Sequence, residues 1–354
     1  MPTNVLITGA SGYLGSALIH ALTETTLPAD CTVHASVRNA AAAAAVTEAG
    51  LVPWTSDLRD PDAVMRDVLE KEISVVFWLI DVLSADAQRI FLKALADVKR
   101  KTGQEVHFLQ TSGAKIFSNL AGAPTDKPVL DTAPDLYETQ KAQKAPLPLM
   151  QNASPAIETN NVVIEQGEAL GVRTYIFAPC IVYGEHKGFG NPISIQNVAI
   201  VNAAKAAGQV YKVDHDRPTW PVCHVSDNAR LYTTILAKIL TGDETLGHGR
   251  NGYYLASSGS IAWEDMYSSI AAALVRRGVS ASAEVPLADD EALERMARGL
   301  GGISTEMVRV QLGGKCTFTA EHGVRIGWHP QYAPGHIVET ADREVERILK
   351  HSAQ

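Results

Sequence analysis

Cysteine is scarce and scattered in this chain: Cys31, Cys180, Cys223 and Cys316 are its four, with no Cys-x-x-Cys pair. That spacing supports neither a zinc site nor a disulfide framework, and it fits a reducing compartment. No segment approaches the roughly 20 apolar residues needed to span a bilayer. No basic stretch precedes an apolar one at the amino end, so a signal peptide is not expected. Basic residues are outnumbered, 31 Lys and Arg against 39 Asp and Glu, and the formal charge is −8. A general nucleic-acid binder would normally carry the opposite sign. There is no internal repeat, and the Asp214-His215-Asp216-Arg217 run lacks the separated ligands that a metal site needs. These absences predict a soluble cytoplasmic protein without a nucleic-acid, membrane or metal partner.

What is present is globular: 46% hydrophobic and 20% charged residues over 354 positions, enough for a large α/β domain with a smaller appendage. Apolar runs predict strands over 4–8, 32–37, 73–80, 106–110 and 172–178. Between them, helical periodicity or propensity covers 12–25, 40–49, 61–72, 85–101 and 159–170. Asp60 and Pro61 form a helix-start pair, a capping side chain followed by a proline at the first turn. Six prolines between 119 and 155 exclude a long helix there. Alternation of this kind predicts an α/β fold, a Rossmann-type doubly wound parallel sheet over 1–184. The remainder, 185–354, reads as mainly a smaller C-terminal substrate lobe, with chain crossings between the two. Its helices are expected over 194–207, 226–240, 263–277 and 289–299, with short strands around 252–256.

The most informative motif is Gly9-Ala10-Ser11-Gly12-Tyr13-Leu14-Gly15, directly after the first strand and opening the first helix. Gly9 lets the chain turn sharply, Gly12 lets backbone approach a pyrophosphate, and Gly15 lets helix and strand pack closely. The helix start then offers unpaired N–H groups and a favourable dipole to phosphate. Ser11, Tyr13 and Leu14 lie within the same turn. The second strand ends Ser36-Val37-Arg38-Asn39, without the carboxylate that would hold a ribose 2′-hydroxyl. Arg38 can pair with a 2′-phosphate instead, which favours NADP over NAD, unless it is only a solvated surface arginine. Asp57, with Leu58, stands where an adenine-edge contact is expected; it could equally be a turn or capping residue.

Together with these, Gln110-Thr111-Ser112-Gly113, Phe177-Ala178-Pro179-Cys180-Ile181-Val182-Tyr183-Gly184 and Cys223-His224-Val225-Ser226-Asp227 follow in order. In that order the chain resembles the extended short-chain dehydrogenases/reductases, the NAD(P)-dependent epimerase/dehydratase-like branch. The resemblance runs from Asn4 to about Trp263, with Ala178 where the family carries arginine. It implies further cofactor contacts at Leu79, Thr111, Pro179 and Ile181, a small-molecule substrate and a possible homodimer.

The family's chemistry takes a Ser or Thr hydroxyl to orient the substrate oxygen and a Tyr to move its proton. A Lys one helical turn on lowers the Tyr pKa. Ser112 fits the first role, with Thr111 as its alternative. Tyr137 and Lys141 have the required spacing, yet Pro146, Pro148 and Pro155 separate them from the helix that carries the family's pair. Counting back from Pro179 without gaps puts Asn152 and Ala156 there instead. Tyr137 and Lys141 are thus either a displaced catalytic pair or residues of a loop. Lys115, Glu165, Tyr183 and His224 are the other proton-transfer candidates. The function expected is an NADP-dependent oxidoreductase or epimerase acting on a small oxygenated metabolite. A non-redox dehydratase, lyase or isomerase, and an NADP-sensing binding protein, are the alternatives.

Overall fold

In the computed structural model, residues 2–146 and 154–352 are described. The first half alternates strand and helix: β1 (Thr3–Ile7), α1 (Tyr13–Thr23), β2 (Cys31–Ser36), α2 (Ala40–Glu48), β3 (Val52–Trp54), α3 (Pro61–Glu70), β4 (Ile73–Trp78), α4 (Asp86–Thr102) and β5 (His107–Thr111). There follow β6 (Val129–Leu130), α5 (Leu136–Ala142), α6 (Ser154–Leu170), β7 (Arg173–Pro179) and β8 (Ile181–Tyr183). The second half holds α7 (Gln196–Ala207), β9 (Thr219–His224), α8 (Val225–Leu240), β10 (Tyr253–Ala256), β11 (Gly259–Ala262) and α9 (Trp263–Arg276). It closes with α10 (Asp290–Gly299), α11 (Thr305–Leu312), β12 (Phe318–Thr319) and α12 (Ala341–His351).

Seven parallel strands form the central sheet in the order β10-β7-β5-β4-β1-β2-β3. Helices cover both faces, so its inner strands are apolar along their whole length; β4 is buried at all six positions. Helix starts follow local chemistry. Asp60 accepts hydrogen bonds from the Asp62 and Ala63 amides at 3.0 and 3.2 Å, and Asn39 caps α2 through the Ala42 amide at 2.8 Å. Helix α4 ends at Gly103, which takes φ +74°.

A second sheet, β11-β9-β8, stands beside the carboxyl ends of the central strands. The chain does not divide cleanly at residue 184. β10, expected in the smaller lobe, pairs with β7 from Tyr253↔Ile176 to Ala256↔Pro179 and is the outermost strand of the central sheet.

Candidate active site

Strand order reverses between β1 and β4, and at that switch point a cleft of about 500 Å³ opens at the carboxyl ends of the strands. Gly9, Gly12 and Gly15 form one wall with Tyr13 and Leu14. The turn is tight enough to demand glycine. Gly9 takes φ +69°, and a Cβ on Gly15 would stand 2.1 Å from the Gly9 carbonyl oxygen. No side chain caps α1, whose N-cap is Gly12. Its first amides have no partner within the helix, so they face the cleft as an anion cradle. Ser11 is exposed beside this turn, and its carbonyl accepts the Asn191 amide at 2.9 Å. That bond seats the 188–191 loop on α1, where the Gly190 amide also donates to Ser16 Oγ at 2.7 Å.

The opposite wall comes from β4, β5, β7 and β8. Leu79 is held by its amide to Thr8 Oγ1 at 2.9 Å, and it lines the cleft with Pro179 and Ile181. Ser112 follows β5 and is anchored by its amide to the Phe177 carbonyl at 2.7 Å. Ser112 lines the cleft, and its hydroxyl accepts a hydrogen bond from Asn160 Nδ2 on α6 at 3.0 Å. Asn160 is fully buried, and its Oδ1 has no partner among the described residues. Thr111 does not share this face. Successive strand side chains alternate, so Thr111 points to α8, where its hydroxyl meets that of Tyr232 at 2.8 Å.

Besides Ser11 and Thr111, three further expected cofactor contacts lie outside the cleft lining. Arg38 is exposed past the end of β2. Asp57 is exposed after β3 and bound to Arg59, through that residue's amide at 2.9 Å and its guanidinium. Leu58 is buried in the core.

Tyr137 and Lys141 are brought together, with Lys141 Nζ 3.2 Å from the Tyr137 hydroxyl. They do not line the cleft. Both turn to Glu165 on α6, at 2.5 Å from the Tyr137 hydroxyl and 2.6 Å from Lys141 Nζ, and Arg250 stacks on the Tyr137 ring. Glu165 lies five residues beyond Asn160, about 7.5 Å further along the helix axis. Burial, then the hydrogen bond to Glu165, pushes the Tyr137 phenol up rather than down. This inverts the tuning that the catalytic expectation needs. The prolines between Lys141 and α6 account for the displacement: α5 is a separate short helix packed against α6 from outside. Asn152, the other candidate for the tyrosine's place, lies outside the described residues.

Other candidates are occupied elsewhere. The Tyr183 hydroxyl meets His336 Nδ1 at 3.1 Å, and burial lowers the His224 imidazole to about 4 beside a stacked Tyr332. A larger cavity of about 750 Å³ borders His224, Arg230 and the outer face of α1, away from the glycine turn. Asp214 accepts the Gly314 amide at 2.9 Å, and Arg217 pairs with Glu264 and Asp265. Lys115, by contrast, lines the cleft three residues after Ser112, with its Nζ 4.1 Å from the Trp220 ring centre. The sequence did not single out Ile195 and Gln196, which line the cleft, or Asn160, which donates to Ser112; an asparagine or glutamine within a helical run carries no visible signal.

The sequence profile of the NAD dependent epimerase/dehydratase family matches residues 5–246, and the chain belongs to that family. No curated protein sequence is significantly similar to it. Among solved structures it is similar to dTDP-glucose 4,6-dehydratase from Bacillus anthracis in complex with NAD. That likeness has a TM-score of 0.62 at 12% identity and covers 98% of this chain and 97% of the other. UDP-glucose 4-epimerase from Thermotoga maritima gives a TM-score of 0.60 at 15% identity over 99% and 100% of the two chains. A monomeric L-threonine 3-dehydrogenase from a metagenome gives 0.60 at 15% over 97% and 99%. At these identities the likeness establishes the fold. The nicotinamide-dependent enzyme type comes from the family.

Proposed function

We propose that this chain is an NADP-dependent oxidoreductase or epimerase that acts on a small oxygenated organic metabolite bound over Ser112. The observation that carries the reading is the cleft itself. A glycine turn with open amides forms one wall, and a strand-end serine, oriented by a buried asparagine, forms the other. The residues fit a dinucleotide: Gly9, Gly12 and Gly15 all line the cleft, and Gly12 starts α1 with no side-chain cap, which leaves the first amides open to a pyrophosphate. When bound, such a cofactor supplies or accepts a hydride at its nicotinamide ring. The chain's own part is to seat the pyrophosphate on α1 and to hold the substrate oxygen at Ser112. The buried apolar side chains of Ile181 and Trp220 help to exclude water from the cleft.

Preference for NADP rests on Arg38. No carboxylate stands between Ser36 and Ala40, and the Asn39 side chain is already used to cap α2. A guanidinium that pairs with the 2′-phosphate contributes about 1.5–3 kcal/mol, or roughly 10- to 100-fold in affinity. Titration of the purified protein with NADP and NAD tests both statements. Tighter binding of NADP is expected, with a preference that shrinks at least tenfold in Arg38→Ala. Binding of neither dinucleotide refutes the function, while an equal preference in the two proteins refutes only the role of Arg38.

A further inference from the structure

We propose that Lys115 is the catalytic residue that gives a proton to, or takes it from, the substrate oxygen held by Ser112. This assignment rests on the function proposed above and fills the role vacated by Tyr137. It begins from elimination. Among the described residues that line the cleft, the ionisable side chains are Tyr13, Cys180 and Lys115. The Tyr13 hydroxyl is committed to the Gly184 carbonyl at 2.7 Å, and the Cys180 thiol to the Ala256 carbonyl at 3.0 Å. Burial pushes both well above their ordinary values, so neither exchanges a proton near neutrality. The undescribed stretch 147–153 reads Leu-Pro-Leu-Met-Gln-Asn-Ala and holds no titratable side chain.

Lys115 is placed and tuned for the task. Ser112 ends the run out of β5, Gly113 follows, and Ala114–Phe117 forms one tight helical turn that carries Lys115 over the Trp220 face. Burial lowers the ammonium to about 7; Cys316 and Asp214 are the ionisable groups facing it, and both push it back up without winning. A group with that pKa is populated in both protonation states at neutral pH, where proton transfer is most effective. Its hydrogen bonds suit both states. An ammonium has three N–H bonds, and here the Val310 and Gly313 carbonyls, at 2.6 and 3.2 Å, accept two. A neutral amine keeps those two bonds and loses the third proton, so exchange leaves the side chain in place.

In the reducing direction the carbonyl carbon receives a hydride from the reduced nicotinamide dinucleotide. The C=O π pair moves to oxygen, and that oxygen takes the third proton of Lys115. The substrate is reduced to an alcohol and the dinucleotide is oxidised. Neutral Lys115 recovers its proton from water when the product leaves.

The same contacts would exist if Lys115 merely tied the end of α11 to the cleft, so the test must separate the two. The wild-type protein is labelled with trace acetic anhydride between pH 5 and 10, with and without saturating NADP, and modification of the Lys115 peptide is read by mass spectrometry. Titration near pH 7, with at least fivefold protection by NADP, is expected; titration near 10, or a rate that NADP leaves unchanged, overturns the assignment. Lys115→Arg keeps the cation and its carbonyl bonds but cannot deprotonate. With a carbonyl probe that the wild type reduces, such as 4-nitrobenzaldehyde, its kcat/KM is expected to fall about 100-fold or more. The inflection near pH 7 should disappear while the Kd for NADP stays within threefold. Activity retained within threefold, with the inflection intact, also overturns the proposal. If the wild type binds neither dinucleotide, the function and this assignment fall together. If it binds NADP while Lys115 titrates near 10, only the assignment falls.

Discussion

Replacing Gly15 by alanine should damage both the fold and the cofactor site, by amounts that the geometry of the turn sets. The added Cβ would lie 2.1 Å from the Gly9 oxygen, 2.8 Å from the Gly9 carbonyl carbon and 3.1 Å from the Ala10 Cα. All three are backbone atoms, so no rotamer change relieves the clash. Ordinary contact begins near 3.4 Å, so the two segments must separate by 3.4 − 2.1 = 1.3 Å along that line. Overpacking of this kind costs about 1–3 kcal/mol. In a chain of 354 residues that should lower Tm by on the order of 1–4 °C. The same shift moves the α1 amides off the phosphate. Losing a single hydrogen bond to a charged group, about 1.5–3 kcal/mol, weakens NADP binding at least tenfold. Gly113→Ala is the matched control. Gly113 also borders the cleft, but its φ of −170° is open to any residue and its Cβ would meet nothing within 4 Å. Differential scanning calorimetry and isothermal titration with NADP on both variants give the two readouts. If Gly15→Ala melts and binds as the wild type does, the steric account of this turn is wrong.

Asn160→Leu removes the donor to Ser112 together with the partnerless Oδ1, so stability should change little while turnover drops about tenfold and NADP affinity holds within twofold. Steady-state kinetics beside a direct binding titration separate these effects. Tyr137→Phe should cost about 1 kcal/mol of stability in urea unfolding and leave kcat/KM within twofold, because its hydroxyl serves Glu165 rather than the cleft. A hundredfold loss of activity in that variant would return Tyr137 to the catalytic role. Acid should destabilise the protein through His107 and His224. Burial is the largest cause of depression in both, to about 3 for His107 and about 4 for His224, so the unfolded chain binds more protons below the ordinary value of 6.5. Stability therefore falls as pH drops from about 6.5 towards 4 and then 3. Urea midpoints should be lower at pH 5 than at pH 7, and His107→Gln should flatten that difference.

The central sheet was legible because its strands are buried on both faces and therefore read as unbroken apolar runs. Ile73–Trp78 is the clearest case, and Thr8-Gly9 marks where the first strand must turn. β3 escaped notice because it is three residues long, lies at the sheet edge and contains Pro53. β9 carries Pro221 and ends in His224, which masks it in the same way. Helix α12 packs Ala341, Val345 and Ile348 against the core among charged neighbours, and its contact with α9 is a tertiary fact that its sequence does not state. At the site, glycine spacing exposed the phosphate wall because backbone geometry writes directly into residue type. The proton-transfer group was not exposed in that way. The Tyr137–Lys141 spacing repeats a familiar pattern, but which face of α6 it meets is a tertiary fact. The environment that tunes Lys115 is assembled from Trp220, Val310 and Gly313, about 100 to 200 residues away in sequence.

The placement of β10 ties synthesis to architecture. β7 and β10 are neighbours, yet the chain leaves the sheet at Pro179 and rejoins it 253 − 179 = 74 residues later. Until that excursion has emerged from the ribosome, β7 presents an apolar rim with unpaired amides and carbonyls, which is a template for wrong partners. Once β10 docks, both ends of the excursion are clamped to adjacent strands. The segment that carries Trp220 is thereby anchored to the central sheet at both of its ends, and little freedom is left for it to swing as a hinged flap.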